Sequence, residues 1–196
     1  DMDLGGTFDY NDVNFKLNFP TKHAGTFSLW GTGYIDYFKS KPEKQDKWEY
    51  FYDRSSAKDR QYMGAGGLTH RYYFNDNTVL KTTLASTYSK FDAKQFVRDF
   101  DGNSTIYGDL YNRTGNWIAS TSLSKKYSSR FTNKTGFTFQ HMTYKMNLEK
   151  APYEGEPLES MSQGEGNTNL ISGYTTSSYD INDKVTFNFG LNGQYL

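Results

Sequence analysis

The sequence contains no cysteine, only four prolines and no long apolar run. Without cysteine there is no disulfide framework and no thiolate metal site. No stretch approaches the roughly 18 apolar residues that mark a transmembrane helix, which argues against a helical membrane protein. An excess of one charge is also missing. Twenty-two basic and 22 acidic residues give a formal net charge of +0, so bulk electrostatics supply no attraction to nucleic acid or to an acidic membrane surface, and nucleic acid is not expected as a partner. Aliphatic residues are scarce too: 35% of the chain is hydrophobic and 18% is aromatic. A β-sandwich core about 10 Å thick draws on Val, Ile and Leu from two facing sheets, and this chain has too few of them. It begins at Asp1 without an initiator Met or signal peptide, and it is therefore read as a processed or excised piece.

What is abundant is Tyr, Phe and Gly (17, 15 and 18 residues), arranged in long alternations. Between residues 12 and 38, Val13, Phe15, Leu17 and Phe19 oppose Asp12, Asn14, Lys16 and Asn18. After a short turn, Phe27, Leu29, Gly31, Gly33, Ile35 and Tyr37 oppose Thr26, Ser28, Thr32 and Asp36. A period of two over such lengths specifies strands with one apolar and one wet face. The same unit recurs, predicting eight strands near 2–19, 25–38, 60–74, 78–92, 115–127, 134–149, 168–180 and 184–196. The expected fold class is all-β, an antiparallel up-and-down meander filling one segment, 1–196.

The parity of the pattern changes inside the first strand. Met2, Leu4, Phe8 and Tyr10 are even, whereas the apolar residues from Val13 onward are odd. One extra residue near Asn11 would produce this, predicting a β-bulge; the competing reading is a break into two shorter strands. A similar switch separates Phe137 and Phe139 from Met142, Tyr144, Met146 and Leu148.

Connections alternate in length. PTKHAG, NDN, SSRFTNK and IND are short and rich in turn residues, whereas residues 39–59, 93–114 and 150–167 are predicted to be long charged loops. Short turns at one end and long loops at the other are the asymmetry of an outer-membrane barrel, whose short turns are periplasmic. Strands longer than the 9–11 residues of a tilted membrane crossing agree with this. Phe19, Tyr72, Tyr73, Phe74, Tyr127, Phe131 and Tyr179 fall near the short turns, where an interfacial aromatic girdle would lie. In this frame Phe15, Leu17, Phe27, Leu29, Leu80, Leu84, Phe187 and Phe189 are expected to face lipid. Lys16, Arg71, Lys81, Asn188 and Asn192 are expected to face the lumen.

Eight strands suffice for a small barrel, but periplasmic short turns would leave both termini outside. The pattern also stops at Tyr195 and Leu196 with no closing aromatic. Unpaired edges are not tolerated in lipid, so flanking strands are expected. The runs DVNFKLNFPTKHAGTFSLWGTG, RYYFNDNTVLKTTLA, NKTGFTFQHMTYKMNLEK and KVTFNFGLNGQYL resemble barrel strands of TonB-dependent outer-membrane receptors of Bacteroidetes type, more narrowly the group carrying a carboxypeptidase-regulatory-like domain. The resemblance implies a wall segment of a barrel of about 22 strands around a plug. Neither the plug nor the TonB box is visible in this sequence. The implied partners are the outer-membrane bilayer, the plug domain of the same parent chain, the TonB complex and an unidentified small-molecule, glycan or peptide ligand. The implied task is import of a scarce nutrient, and the implied location is the bacterial outer membrane. The alternative is a small β-barrel binding or adhesin protein that uses long extracellular loops.

No residue set carries catalysis, a cofactor or a metal in this reading, and an enzyme is not expected. His23, His70 and His141 fall in a turn and two strands without companion ligands at metal spacing. Asp99, Asp101 and Asn103 in DFDGN have a calcium-loop flavour, but an EF-hand needs an additional oxygen ligand before its Gly and a Glu further on, and turn chemistry explains these residues better. Glu154, Glu156, Glu159 and Glu165 are read as a solvated acidic loop, with binding of a cation outside the cell as the alternative. Gly64, Gly66 and Gly67 lack the spacing of a phosphate loop and are read as sites of curvature or close packing. Asn103, Asn112 and Asn133 each open an Asn-x-Ser/Thr triplet and are read as products of Asn- and Thr-rich turns. In KSKPEKQDKWEYFYDRSSAKDR, the aromatics Trp48, Tyr50 and Phe51 interleave with cations. An ordinary long loop whose aromatics pack on its neighbours is the leading reading there, ahead of stacking on sugars or clamping an anionic ligand.

Overall fold

The computed structural model describes residues 6–196. Eight antiparallel strands form one sheet in sequence order: β1 (Gly6–Pro20), β2 (Thr26–Ser40), β3 (Ser55–Asn75), β4 (Thr78–Arg98), β5 (Ser104–Lys126), β6 (Phe131–Lys150), β7 (Glu159–Asn182) and β8 (Val185–Tyr195). β1 and β8 are the edges of an open sheet. Met2 and Leu4 of the expected parity change lie outside the described residues.

Register joins the strands into continuous cross-strand rows. One row runs Leu17, Leu29, Leu68, Leu84, Ala119, Phe139, Ile171, Tyr195, each residue directly opposite the next. It is the centre of a band of five successive rows on this face that contains no Asp, Glu, Lys or Arg. Along β4 the band runs from Leu80 through Leu84 to Tyr88. All eight residues expected on the apolar face share it, and Lys16, Arg71, Lys81, Asn188 and Asn192 share the other. The two surfaces are named here the Leu84 face and the Lys81 face.

The expected bulge near Asn11 is absent. Gly6 to Pro20 pairs without interruption against Ser40 to Thr26, and β5 pairs straight through the apparent switch in β6. The faces instead exchange polarity toward the long-connection end. There the Leu84 face carries Arg60, Lys90, Asp92, Arg113, Lys145 and Glu165. The Lys81 face carries Phe8, Tyr10, Tyr34, Met63, Met142, Tyr144 and Met146. Apolar residues change parity because the surroundings of each face change while the backbone runs on. Register shifts occur elsewhere, at Tyr73/Asn75, Gln95/Phe96, Leu148/Glu149 and Asp180/Asn182.

The same exchange explains why the connections at that end are shorter than expected. β4 continues to Arg98, β5 starts at Ser104 and β7 starts at Glu159, so the loops reduce to residues 41–54, 99–103 and 151–158. Charges on the Leu84 face of these extensions disguise strand as loop. At the opposite end the turns are 21–25, 76–77, 127–130 and 183–184. Gly25 takes φ 78°, and a Cβ there would lie 2.0 Å from the Arg71 carbonyl oxygen, so this turn requires glycine.

Enclosed core is minimal. Among the described residues the fully buried apolar side chains are Val97 and Ala151, both at the loop end, while Leu84 and Trp117 are 57% and 66% exposed. Strand pairing, rather than a two-layer core, holds this sheet together.

Candidate functional site

The Lys81 face of the band is small and polar, with a cluster of cations. Arg71 lies directly opposite Lys81, and both line a recess of about 630 Å³ with Lys16, Asn14, Ser28, Trp30 and Thr69. Like charges opposed across a strand pair are destabilising, and none of the three forms an ion pair among the described residues. Hydrogen bonds fix the surrounding wall: Ser28 Oγ donates to Asn18 Oδ1 (2.7 Å), Trp30 Nε1 donates to Thr69 Oγ1 (3.2 Å), and Thr69 and Thr83 hydroxyls share a bond of 3.2 Å. Farther along the same face, one carboxylate oxygen of Asp36 and the amide oxygen of Asn116 are enclosed without a hydrogen-bond partner. Buried polar atoms are ordinarily paired, so this face has unused polar capacity at both ends.

Above it, the aromatic part of the Lys81 face opens toward the loops. Tyr10 stacks on Tyr34 with ring centroids 6.2 Å apart. Asn116 Nδ2 donates to Gln140 Oε1 (2.8 Å), and Gln61 Nε2 donates to the Tyr34 hydroxyl (2.9 Å). Tyrosines, methionines and amides at one end with cations at the other can contact an amphiphilic solute or protein surface.

The long connections form one assembly, which the sequence did not reveal. Arg54, at the end of a short 3-10 turn (Phe51–Arg54), donates to both carboxylate oxygens of Glu154 (2.7 and 2.8 Å) and to the Arg98 carbonyl (2.9 Å). Its guanidinium also lies 4.8 Å from the Phe100 ring centroid. One side chain therefore ties the β2–β3, β4–β5 and β6–β7 connections together, and the Glu154 hydrogen bonds raise its already high pKa. Trp48 meets Phe100 edge-on at 6.1 Å and Phe51 packs on Tyr107 at 4.8 Å. Trp48 thus packs on the β4–β5 connection and Phe51 on the start of β5, while Tyr50 stacks on Tyr52 and both are exposed.

The other candidates fall into local roles. Asp99 accepts bonds from the Asn103 backbone and side-chain amides (2.8 and 3.0 Å), closing a turn in which Gly102 takes φ 89°. The Asn103 side-chain amide, ahead of the backbone amides of Asn103, Asp101 and Gly102, holds the Asp99 carboxyl below its ordinary value. Glu154 is taken by Arg54 and Glu165 by Lys145 (2.7 Å), while Glu159 begins β7 and Glu156 remains in the loop. His70 stacks on Phe27 at 4.2 Å and bonds the Ala24 carbonyl, whereas His141 bonds Asn169. His23 stays in the first turn, so the histidines are not brought together. Among the described residues no group of three or more His, Cys, Asp or Glu could hold a metal. Asn112 lies in β5, and Asn133 in β6 bonds Thr175 and Ser177 (2.9 Å each).

Near the short turns, aromatic side chains do gather. Tyr72 meets Phe74 at 5.0 Å, Tyr127 meets Phe131 at 5.5 Å, and Phe131 meets Tyr179 at 6.4 Å. Tyr73 is the exception in the expected girdle: its register opposite Val79 puts it on the Lys81 face. Comparison with protein-family models and with curated proteins yields no match.

Proposed function

We propose that this chain is a wall segment of a large transmembrane β-barrel, a TonB-dependent transporter of the outer membrane that imports a scarce nutrient. The uncharged band on the Leu84 face carries the reading. Five rows correspond to nine residues of β4, Leu80 to Tyr88, and a strand tilted by about 45° needs 9–11 residues to cross the hydrocarbon. A water-facing surface has no reason to exclude every Asp, Glu, Lys and Arg from a stripe across eight strands. The polar Lys81 face then lines the lumen. Its unpaired cations and enclosed polar atoms await the plug domain of the parent chain, with the TonB complex acting through that plug. The loops tied by Arg54 stand outside the cell, above the aromatic part of the lumen where a ligand would first arrive. The import task and the TonB coupling rest on the resemblance of the strand sequences.

The competing reading, a small barrel that binds or adheres through its loops, requires β1 to close on β8, whereas these strands are the two edges. These 196 residues contain no cysteine, and with any cysteine elsewhere in the full-length protein replaced by Ser, spin labels at Leu84→Cys and Lys81→Cys decide the point. Label 84 is expected to be open to dissolved oxygen and shielded from a water-soluble nickel chelate, with label 81 not sharing the oxygen exposure. Chelate access at 84 would overturn the membrane assignment.

A further inference from the structure

Directly above the band on the Leu84 face, one row reads Tyr62, Lys90, Arg113, Lys145 on four adjacent strands. Three cations stand side by side where like charges repel. Neighbouring carboxylates are already committed: Asp92 pairs with Lys90, Asp109 with Lys94 (3.1 Å) and Glu165 with Lys145. Arg113, in the middle, has no carboxylate among the described residues and lies 4.5 Å over the Tyr111 ring. Arg60, two residues before Tyr62 on β3, is in the same state, stacked on Tyr62 at 4.5 Å and bonded to the Tyr37 hydroxyl (2.9 Å).

Immediately below this row the surface sinks. Gly31 opposes Gly66 and Gly33 opposes Gly64, so two neighbouring rows lack side chains on β2 and β3. The Phe15 ring covers Gly31, and Gly33, Gly64 and Gly66 floor a recess of about 800 Å³ bordered by Val13, Ile35, Tyr62, Tyr88 and Lys90. A side chain at Gly64 would meet nothing closer than 3.8 Å, so the backbone there does not demand glycine and the empty space is the feature to explain.

We propose that this face binds an anionic membrane lipid, its phosphate held by Arg113, with Arg60 and the Asp92-paired Lys90 beside it, and one acyl chain lying in the glycine-floored recess. A guanidinium already stacked on a tyrosine is oriented for bidentate phosphate contact. The cation row sits at headgroup height only if the uncharged band spans the bilayer, so the inference rests on the membrane reading above.

The test uses full-length protein in detergent, exchanged against dimyristoyl phosphatidylglycerol or dimyristoyl phosphatidylcholine and read by native mass spectrometry. Wild type is expected to retain phosphatidylglycerol preferentially. Arg113→Gln combined with Lys90→Gln should weaken that retention about tenfold, the size expected for loss of charge-assisted hydrogen bonds, and Arg113→Lys should restore part of it. Gly64→Leu, which fills the recess, should weaken retention of both lipids. Equal retention of the two lipids by wild type, or unchanged retention in the Gln pair and in Gly64→Leu, would overturn the lipid site. The spin label at position 84 on the same preparation separates the failures. Oxygen exposure there confines the failure to the lipid site, and chelate exposure removes the membrane reading with it.

Discussion

Arg54 shows how much one side chain can organise. Its side chain is 12% exposed and paired with a Glu154 side chain that is 33% exposed, and removing it cuts two carboxylate bonds, one carbonyl bond and two ring contacts. Arg54→Ala should cost about 1 kcal/mol, the upper end for an ion pair at the protein surface. It should appear as faster amide exchange in residues 99–103 and 151–158 with the strands unchanged. At Asp99 the sign follows from its depressed pKa: the ionised carboxylate is favoured in the folded turn, so its stabilisation is complete at neutral pH. It declines once pH falls below the ordinary aspartate value and is gone once pH has fallen through the lowered one. Exchange of the Asn103 amide against pH should follow that course, and Asp99→Ala should make the turn loose and insensitive to acid. Asp99 was legible from sequence because its partners lie within four residues. Arg54 was not, because Glu154 is 100 residues away and nothing in a loop sequence states which distant loop it meets.

At the scale of the element, alternation located all eight strands and sorted thirteen named side chains onto the correct faces, since side chains of a strand have no freedom but to alternate. Alternation failed where the environment changed along one strand. Phe8 and Tyr10 were read as a register slip, and residues 93–98, 104–114 and 159–167 as loop, because the polarity of each face inverts there while pairing continues. Periodicity reports which residues share a face but not what that face touches. Leu84→Arg places a charge in the centre of the uncharged row and should cost about 2–4 kcal/mol where the row meets lipid. The expected readout is loss of folded, heat-modifiable barrel from outer-membrane fractions, and normal assembly would refute lipid contact at this residue.

For the whole molecule, the governing fact is a sheet with two open edges and almost no enclosed core. Every residue of β1 and β8 is exposed, so both strands present unpaired backbone, a template for association. Expressed on its own, the chain should sediment as large aggregates in buffer and as a β-rich species of small size only in detergent, measured by analytical ultracentrifugation with circular dichroism. A monodisperse monomer in plain buffer would contradict an apolar face built for lipid and edges built for further strands.

By itself the sequence determined that the chain is all-β, that it runs up and down, and where its strands turn. Turn residues and a period of two act between near neighbours and are written in residue order. The tertiary structure decided which side chains form continuous rows, where the two faces exchange polarity, and which loops Arg54 binds together. Each depends on register between strands, a set of long-range pairings that no local pattern encodes.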